Sequence, residues 1–220
     1  FHVPQNKSVV IRNAIEKISF VEKPSDKISL IYHTTPWRGL KILLKVFKNL
    51  NLENVELNVC SSTIIYGKKF DSLLGKTYEG LFNECKNTKN VNYFGFLKNE
   101  KIIEQLKKVH IFAHPSIWPE TSCIAAIESM AAGCEVVTTN LGALNETCSP
   151  FGKMINFEKR PEDLEIKYSE ALLDSIKNFW SDTTQKKLKL QRETINTTYS
   201  WDVRSAEWKK FFDEARKLKA

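Results

Sequence analysis

The chain has 220 residues, 42% hydrophobic and 11% aromatic, enough apolar material for one large core or two small ones, and a formal charge of +7. No apolar run approaches the ~18 residues of a membrane-spanning helix, and no charged segment with a small-residue cleavage site opens the chain. Its Lys and Arg fall in separate clusters without interleaved aromatics, so solvated helix faces and a phosphorylated ligand are expected rather than nucleic acid; a membrane surface stays open as a partner.

Residues 1–27 read as a lead-in, with Val9 to Ile11 as a short strand and Pro24-Ser25-Asp26 as a turn. The first residue is not Met, so the chain is expected to be a piece of a longer protein. Ile28 to His33 is the first strand, Thr34 to Gly39 its loop, and Leu40 to Leu50 a helix with Leu40, Leu43, Leu44 and Phe47 on one face. Arg38 offers a fork of donors suited to a diphosphate. Gly39 permits close backbone approach, and Trp37 reads as a packing residue. Val55 to Cys60 is the second strand. A loop and one helix near Tyr78 to Lys86 follow, then a third strand and turn from Val91 to Leu97. Asn99 is placed as the N-cap of a helix ending at Lys108.

Val109 to Ala113 is a buried strand, Pro115 to Glu120 a loop, and Cys123 to Ala132 a helix capped by Thr121 and Ser122 and ended by Gly133. Glu135 to Thr139 is the next strand. His114, beside Pro115, reads as a hydrogen-bonded structural residue. Asn140 to Ala143 is a turn, and Glu146 lies on a short helix. Gly152 to Phe157 is the last strand, followed by helices at Pro161–Phe179, Thr183–Thr197 and Asp202–Lys217. Strand, loop, helix, strand is the unit of a parallel α/β sheet. The five cysteines, Cys60, Cys85, Cys123, Cys134 and Cys148, include no Cys-x2-Cys pair, so zinc is not expected and buried thiols in a reducing compartment are.

Two carboxylates frame the central loop and helix. Glu120 precedes the helix and Glu128 lies within its second turn. Between them the helix start offers free N–H groups and the positive end of the dipole, a site for phosphate. Sugar hydroxyls on one side and ribose hydroxyls on the other would suit the two glutamates. The plainer alternative is that both are solvated.

The run P-E-T-S-C-I-A-A-I-E-S-M-A-A-G-C resembles the E-x7-E signature of retaining glycosyltransferases of the GT-B fold, the large family-4-like group. The strand and N-L-G-A-L-N-E segment that follow are similar to that family's, and the likeness runs from roughly Ser29 to Trp208. It implies an α/β fold, a doubly wound Rossmann-like parallel sheet of about six strands, forming the C-terminal half of a GT-B glycosyltransferase. Residues 1–27 would then cross over from a missing N-terminal domain, with Asn13-Ala14-Ile15 standing where the family has Asn-Gly-Val or Asn-Gly-Ile. Residues 28–200 would bind the nucleotide sugar, and 201–220 would pack as a helix toward the missing domain.

The resemblance implies transfer of a glycosyl group from a nucleotide-diphosphate sugar with retention. Thr121, Ser122, Cys123 and Arg38 would steady the leaving diphosphate with no metal and no other cofactor, and no paired-Asp motif for a metal is present. The family's loop usually has an arginine early and a lysine before its glycine; Arg38 stands at the second place, Thr34 or Thr35 at the first. Glu120 is the residue assigned to the reacting sugar and Glu128 to the ribose, while Gly95, Phe96 and Leu97 map against the base. The acceptor, whether glycan, lipid or protein, is not named by the sequence. A cytoplasmic setting follows from absent signals and the thiols. The alternatives are a nucleotide-sugar epimerase and a non-catalytic nucleotide-sugar-binding module.

Overall fold

The computed structural model describes Pro4 and residues 7–217. Six strands, β1 (Ile28–Tyr32), β2 (Val55–Val59), β3 (Val91–Tyr93), β4 (Ile111–His114), β5 (Glu135–Thr139) and β6 (Lys153–Ile155), form one sheet. Every pairing is parallel and the spatial order is β3-β2-β1-β4-β5-β6. The chain winds outward from β1 to β3, then returns to lay β4 against the other edge of β1. That reversal is a topological switch point, and it leaves a crevice at the carboxyl ends of β1 and β4.

Helices α1 (Leu40–Leu50), α2 (Lys68–Asn87) and α6 (Pro161–Asn178) cover one face; α3 (Asn99–Leu106), α4 (Ile124–Ala131) and α5 (Leu144–Cys148) cover the other, with α7 (Asp182–Thr198) against α4. Cover on both faces explains why β1, β4 and β5 are buried at every position rather than at alternate ones. Leu30, Tyr32, Ile111, Ala113 and Val137 join the first core, while Ile31, Phe112 and Val136 join the second. In α4 it is Ile127, Met130 and Ala131 that face the core, while Ile124 is 45% exposed at the open first turn. Gly133 ends α4 in a left-handed conformation, φ +80, with its N–H on the Met130 carbonyl and that of Cys134 on Ser129. Such paired bonds make a Schellman cap.

Two expected elements differ. Val9 to Ile11 forms no strand. The lead-in is fastened further on instead, where the Ile15 N–H donates to the Tyr199 carbonyl at 2.8 Å. Helix α2 begins ten residues earlier than the expected Tyr78, at Lys68, and runs for 20 residues. Only Cys85 is buried in it, so its first half carries little apolar periodicity to read. Helix α8 (Trp201–Lys217) buries only Arg204. That guanidinium reaches the carbonyls of Asn13 (3.3 Å) and Thr198 (3.2 Å) and pairs with Glu207. Among the described residues no helix is long and apolar enough to cross a membrane.

Candidate functional site

The crevice at the switch point is built from the loop after β1 and the loop after β4. The first closes as a 3-10 turn over Pro36–Arg38 and ends at Gly39, φ +123. A Cβ on Gly39 would lie 2.1 Å from the Pro115 carbonyl oxygen. Glycine is therefore required where the two loops cross, and the close approach expected of Gly39 is to the second loop of this chain. The second loop is pinned from behind. The Ala143 N–H donates to the Glu120 carbonyl at 2.7 Å, and a Cβ on Gly142, φ +63, would sit 2.5 Å from that same oxygen.

Pinning both loops brings Arg38 and Glu120 together, 82 residues apart in sequence. Arg38 Nη1 donates to Glu120 Oε2 at 2.6 Å, and the carboxylate is almost fully buried. Burial pushes the Glu120 pKa up, and Arg38 only partly opposes it. Arg38 Nε has no partner, so the guanidinium keeps donors for a further anion.

Helix α4 starts at Ile124, not at the expected cap. Thr121 and Ser122 precede the start, and neither side chain caps it; the cap position is Cys123 in the left-handed region, φ 67 and ψ 75. Ser122 is held instead through its carbonyl, which accepts from Thr147 Oγ1 at 2.6 Å. A non-glycine residue in this conformation is uncommon and tends to mark a site. The first amides to find helical partners are Ala126 and Ile127, both on the Cys123 carbonyl at 3.0 and 3.3 Å. Those of Ile124 and Ala125 are left at the positive end of the helix.

From there a cavity of about 320 Å³ runs past Ala125, Thr34 and Ser62 to Glu128 and Phe96. Glu128 is 8% exposed, and Asn99 Nδ2 donates to its Oε1 at 3.0 Å. Burial raises the Glu128 pKa, with Asn99 opposing. Asn99 is the first residue of α3 rather than its N-cap, which is Lys98 without a side-chain bond. Its amide holds Glu128 instead. Phe96, 49% exposed, stands with Leu97 and Lys98 at the far wall.

Comparison with known proteins fits this geometry. Residues 12–191 match the family model described as glycosyl transferases group 1. The chain belongs to that family. It is 24% identical to an uncharacterised glycosyltransferase, MJ1607, of Methanocaldococcus jannaschii, over 92% of this chain and 53% of the relative. Among solved structures, sucrose-phosphate synthase of Thermosynechococcus elongatus superposes with a TM-score of 0.76 at 17% identity, over 94% of this chain and 52% of that one. Anabaena HepE in complex with UDP and glucose gives 0.72 at 15% identity, over 96% and 58%. The chain thus spans about half the length of the relatives it matches, and at these identities the structural likeness shows a shared GT-B-type fold.

Within this group 1 domain, several site residues were not readable from sequence. His33 lines the cavity, and its Nε2 lies 2.9 Å from Ser129 Oγ. Since Ser129 Oγ donates to the Ala125 carbonyl at 2.7 Å, Nε2 carries the proton and His33 is neutral. Burial drives its pKa down to about 3. His114 departs from its expected role. It is fully buried, yet neither ring nitrogen has a hydrogen-bond partner, and its Nε2 faces Glu120 Oε1, also unpartnered, at 3.9 Å. Trp37 packs as expected, with Tyr66, Phe70 and Tyr78 at centroid distances of 5.7–5.9 Å. Glu146 lies away from the main cavity, in a separate cleft of about 260 Å³ with Thr121, Ser122, Arg12 and Asn13.

Proposed function

We propose that this chain is the C-terminal, donor-binding half of a GT-B glycosyltransferase of the family-4-like, E-x7-E type, transferring sugar from a nucleotide-diphosphate sugar with retention and without a metal. The observation that carries the reading is one continuous crevice. It joins the start of α4 at Ala125 to the buried carboxylate of Glu128, and the Arg38–Glu120 pair stands on the loops after β1 and β4 at the same end of the sheet. The diphosphate binds at Ile124 and Ala125 with the spare donors of Arg38. Ribose hydroxyls donate to Glu128, the base lies along Phe96 and Leu97, and the sugar reaches Glu120. As the glycosidic bond to phosphate breaks, negative charge grows on the diphosphate. Fixed amides and a guanidinium stabilise it there with little reorganisation. The UDP and glucose held by the Anabaena neighbour support a nucleotide-sugar ligand.

In this reading residues 1–27 and α8 meet the other half of the enzyme, which supplies the acceptor site. The test is calorimetric titration of the chain with UDP, GDP and ADP and their sugars. One nucleotide should bind, and Glu128→Ala and Arg38→Ala should each weaken it by about tenfold or more, the scale of a lost charge-assisted hydrogen bond. Wild-type binding that both substitutions leave unchanged would overturn the assignment.

A further inference from the structure

Behind the crevice lies a cluster that donor binding explains only at Glu120, leaving His114 and Cys123 without a role. His114 Nε2, Glu120 Oε1 and Cys123 Sγ all lie within 4.8 Å of one another, and all three residues are buried. His114 is 0% exposed with both ring nitrogens unpartnered, and Glu120 Oε1 is unpartnered as well. A buried polar atom without a partner is costly, and two of them face one another across 3.9 Å. That gap is too long for a hydrogen bond. Tetrahedral zinc, with bonds of ~2.0–2.3 Å to N, O and S, sets its ligand atoms ~3.3–3.7 Å apart, so small side-chain rotations close the cluster onto an ion.

We propose that His114, Glu120 and Cys123 form a binding site for a soft transition-metal dication, with zinc as its type, and that occupancy shuts the donor site. The donor set is a neutral imidazole, a carboxylate and a thiol, the set zinc and cobalt prefer. On binding, the Cys123 thiol gives up its proton to solvent and the thiolate bonds the ion. No Cys-x2-Cys spacing announces the site, because its ligands come from a strand end, a loop and a helix cap. Arg38, 2.6 Å from the other oxygen of Glu120, sets the affinity. Its positive charge opposes the dication, so the site is weak and responds to metal concentration. The inhibitory half of the proposal rests on the donor-site reading, since metal on Glu120 and Cys123 withdraws the sugar carboxylate and alters the start of α4.

The experiment titrates the reduced chain with cobalt chloride and follows the thiolate-to-cobalt charge-transfer band, then displaces the cobalt with zinc chloride. A saturable band lost on adding zinc is expected. Cys123→Ser should abolish the band, and His114→Gln should weaken binding by about tenfold or more, with circular dichroism checking that each variant folds. Arg38→Gln should tighten metal binding by about tenfold or more while weakening nucleotide binding, so the two readings fail separately. Absence of the band in the wild-type chain, or its survival in Cys123→Ser, overturns the site. Metal binding with unchanged nucleotide affinity overturns only the inhibition.

Discussion

Asn99 is the residue on which Glu128, the carboxylate proposed for the ribose, depends. It supplies the hydrogen bond to Glu128 and opposes the burial that would neutralise it. Asn99→Ala should weaken nucleotide binding about three- to tenfold, with a larger loss on acidification as Glu128 takes up a proton; calorimetry at two pH values would show it. The glycines separate steric from conformational demands. Gly39→Ala meets backbone at 2.1 Å and should cost at least about 2 kcal/mol in denaturant unfolding. Gly67→Ala has φ +94 but nothing within 4 Å, so it should cost only about 1 kcal/mol. Equal losses would mean that the loop crossing at Pro115 is not tight. The places of Glu120, Arg38 and Gly39 were legible because each sits in a strand-to-helix loop, and that of Glu128 because it follows in the helix after one. Asn99, His33 and Ser129 were not, because they reach the crevice from separate elements and their types are ordinary in a core.

At the scale of elements, His110 fastens the start of β4. Its Nδ1 accepts from the Ser29 N–H at 2.9 Å, and its Nε2–H donates to the Pro24 carbonyl at 2.8 Å, so both bonds need the neutral ring. Burial lowers its pKa below 6.5. The unfolded chain therefore binds this proton first, and stability falls as pH drops below about 6.5. Glu120 and Glu128, raised above 4.5, act the other way, and their cost is relieved on acidification. Unfolding midpoints between pH 7 and pH 5 should thus decline, and His110→Gln should be less stable at pH 7 but show a flatter decline. Element identities followed from apolar runs and caps, with β5 (Glu135–Thr139) placed to the residue. The start of α4 was misplaced because Thr121 and Ser122 are good caps by type, while a left-handed cysteine has no signature.

For the whole molecule, the parallel sheet answers to alternation of strands and helices, and that was legible, whereas the strand order came from the structure. Helix α8 buries little of its own apolar face. Trp201, Trp208 and Phe212 are 50%, 41% and 52% exposed, and Trp208 stacks on Phe212 at 5.5 Å. Replacing Trp208 and Phe212 by Ser should leave this chain's unfolding free energy within about 0.5 kcal/mol. If the chain is the donor half proposed above, the double replacement should also weaken association with the other half of the enzyme, measured by sedimentation. A large loss of stability would instead make the aromatic face part of this domain's own core.

The central place of β1 bears on how the protein comes off the ribosome. Its pairing with β2 is complete once Val59 has emerged, but its other edge waits for Ile111 and Phe112. For that interval a strand buried at every position in the finished fold has one open edge, the kind of surface that recruits other chains. Arg38 likewise waits for Glu120. The nascent domain therefore has no ligand pocket to stabilise it until both halves exist, and any protection by nucleotide arrives only after the hazard has passed.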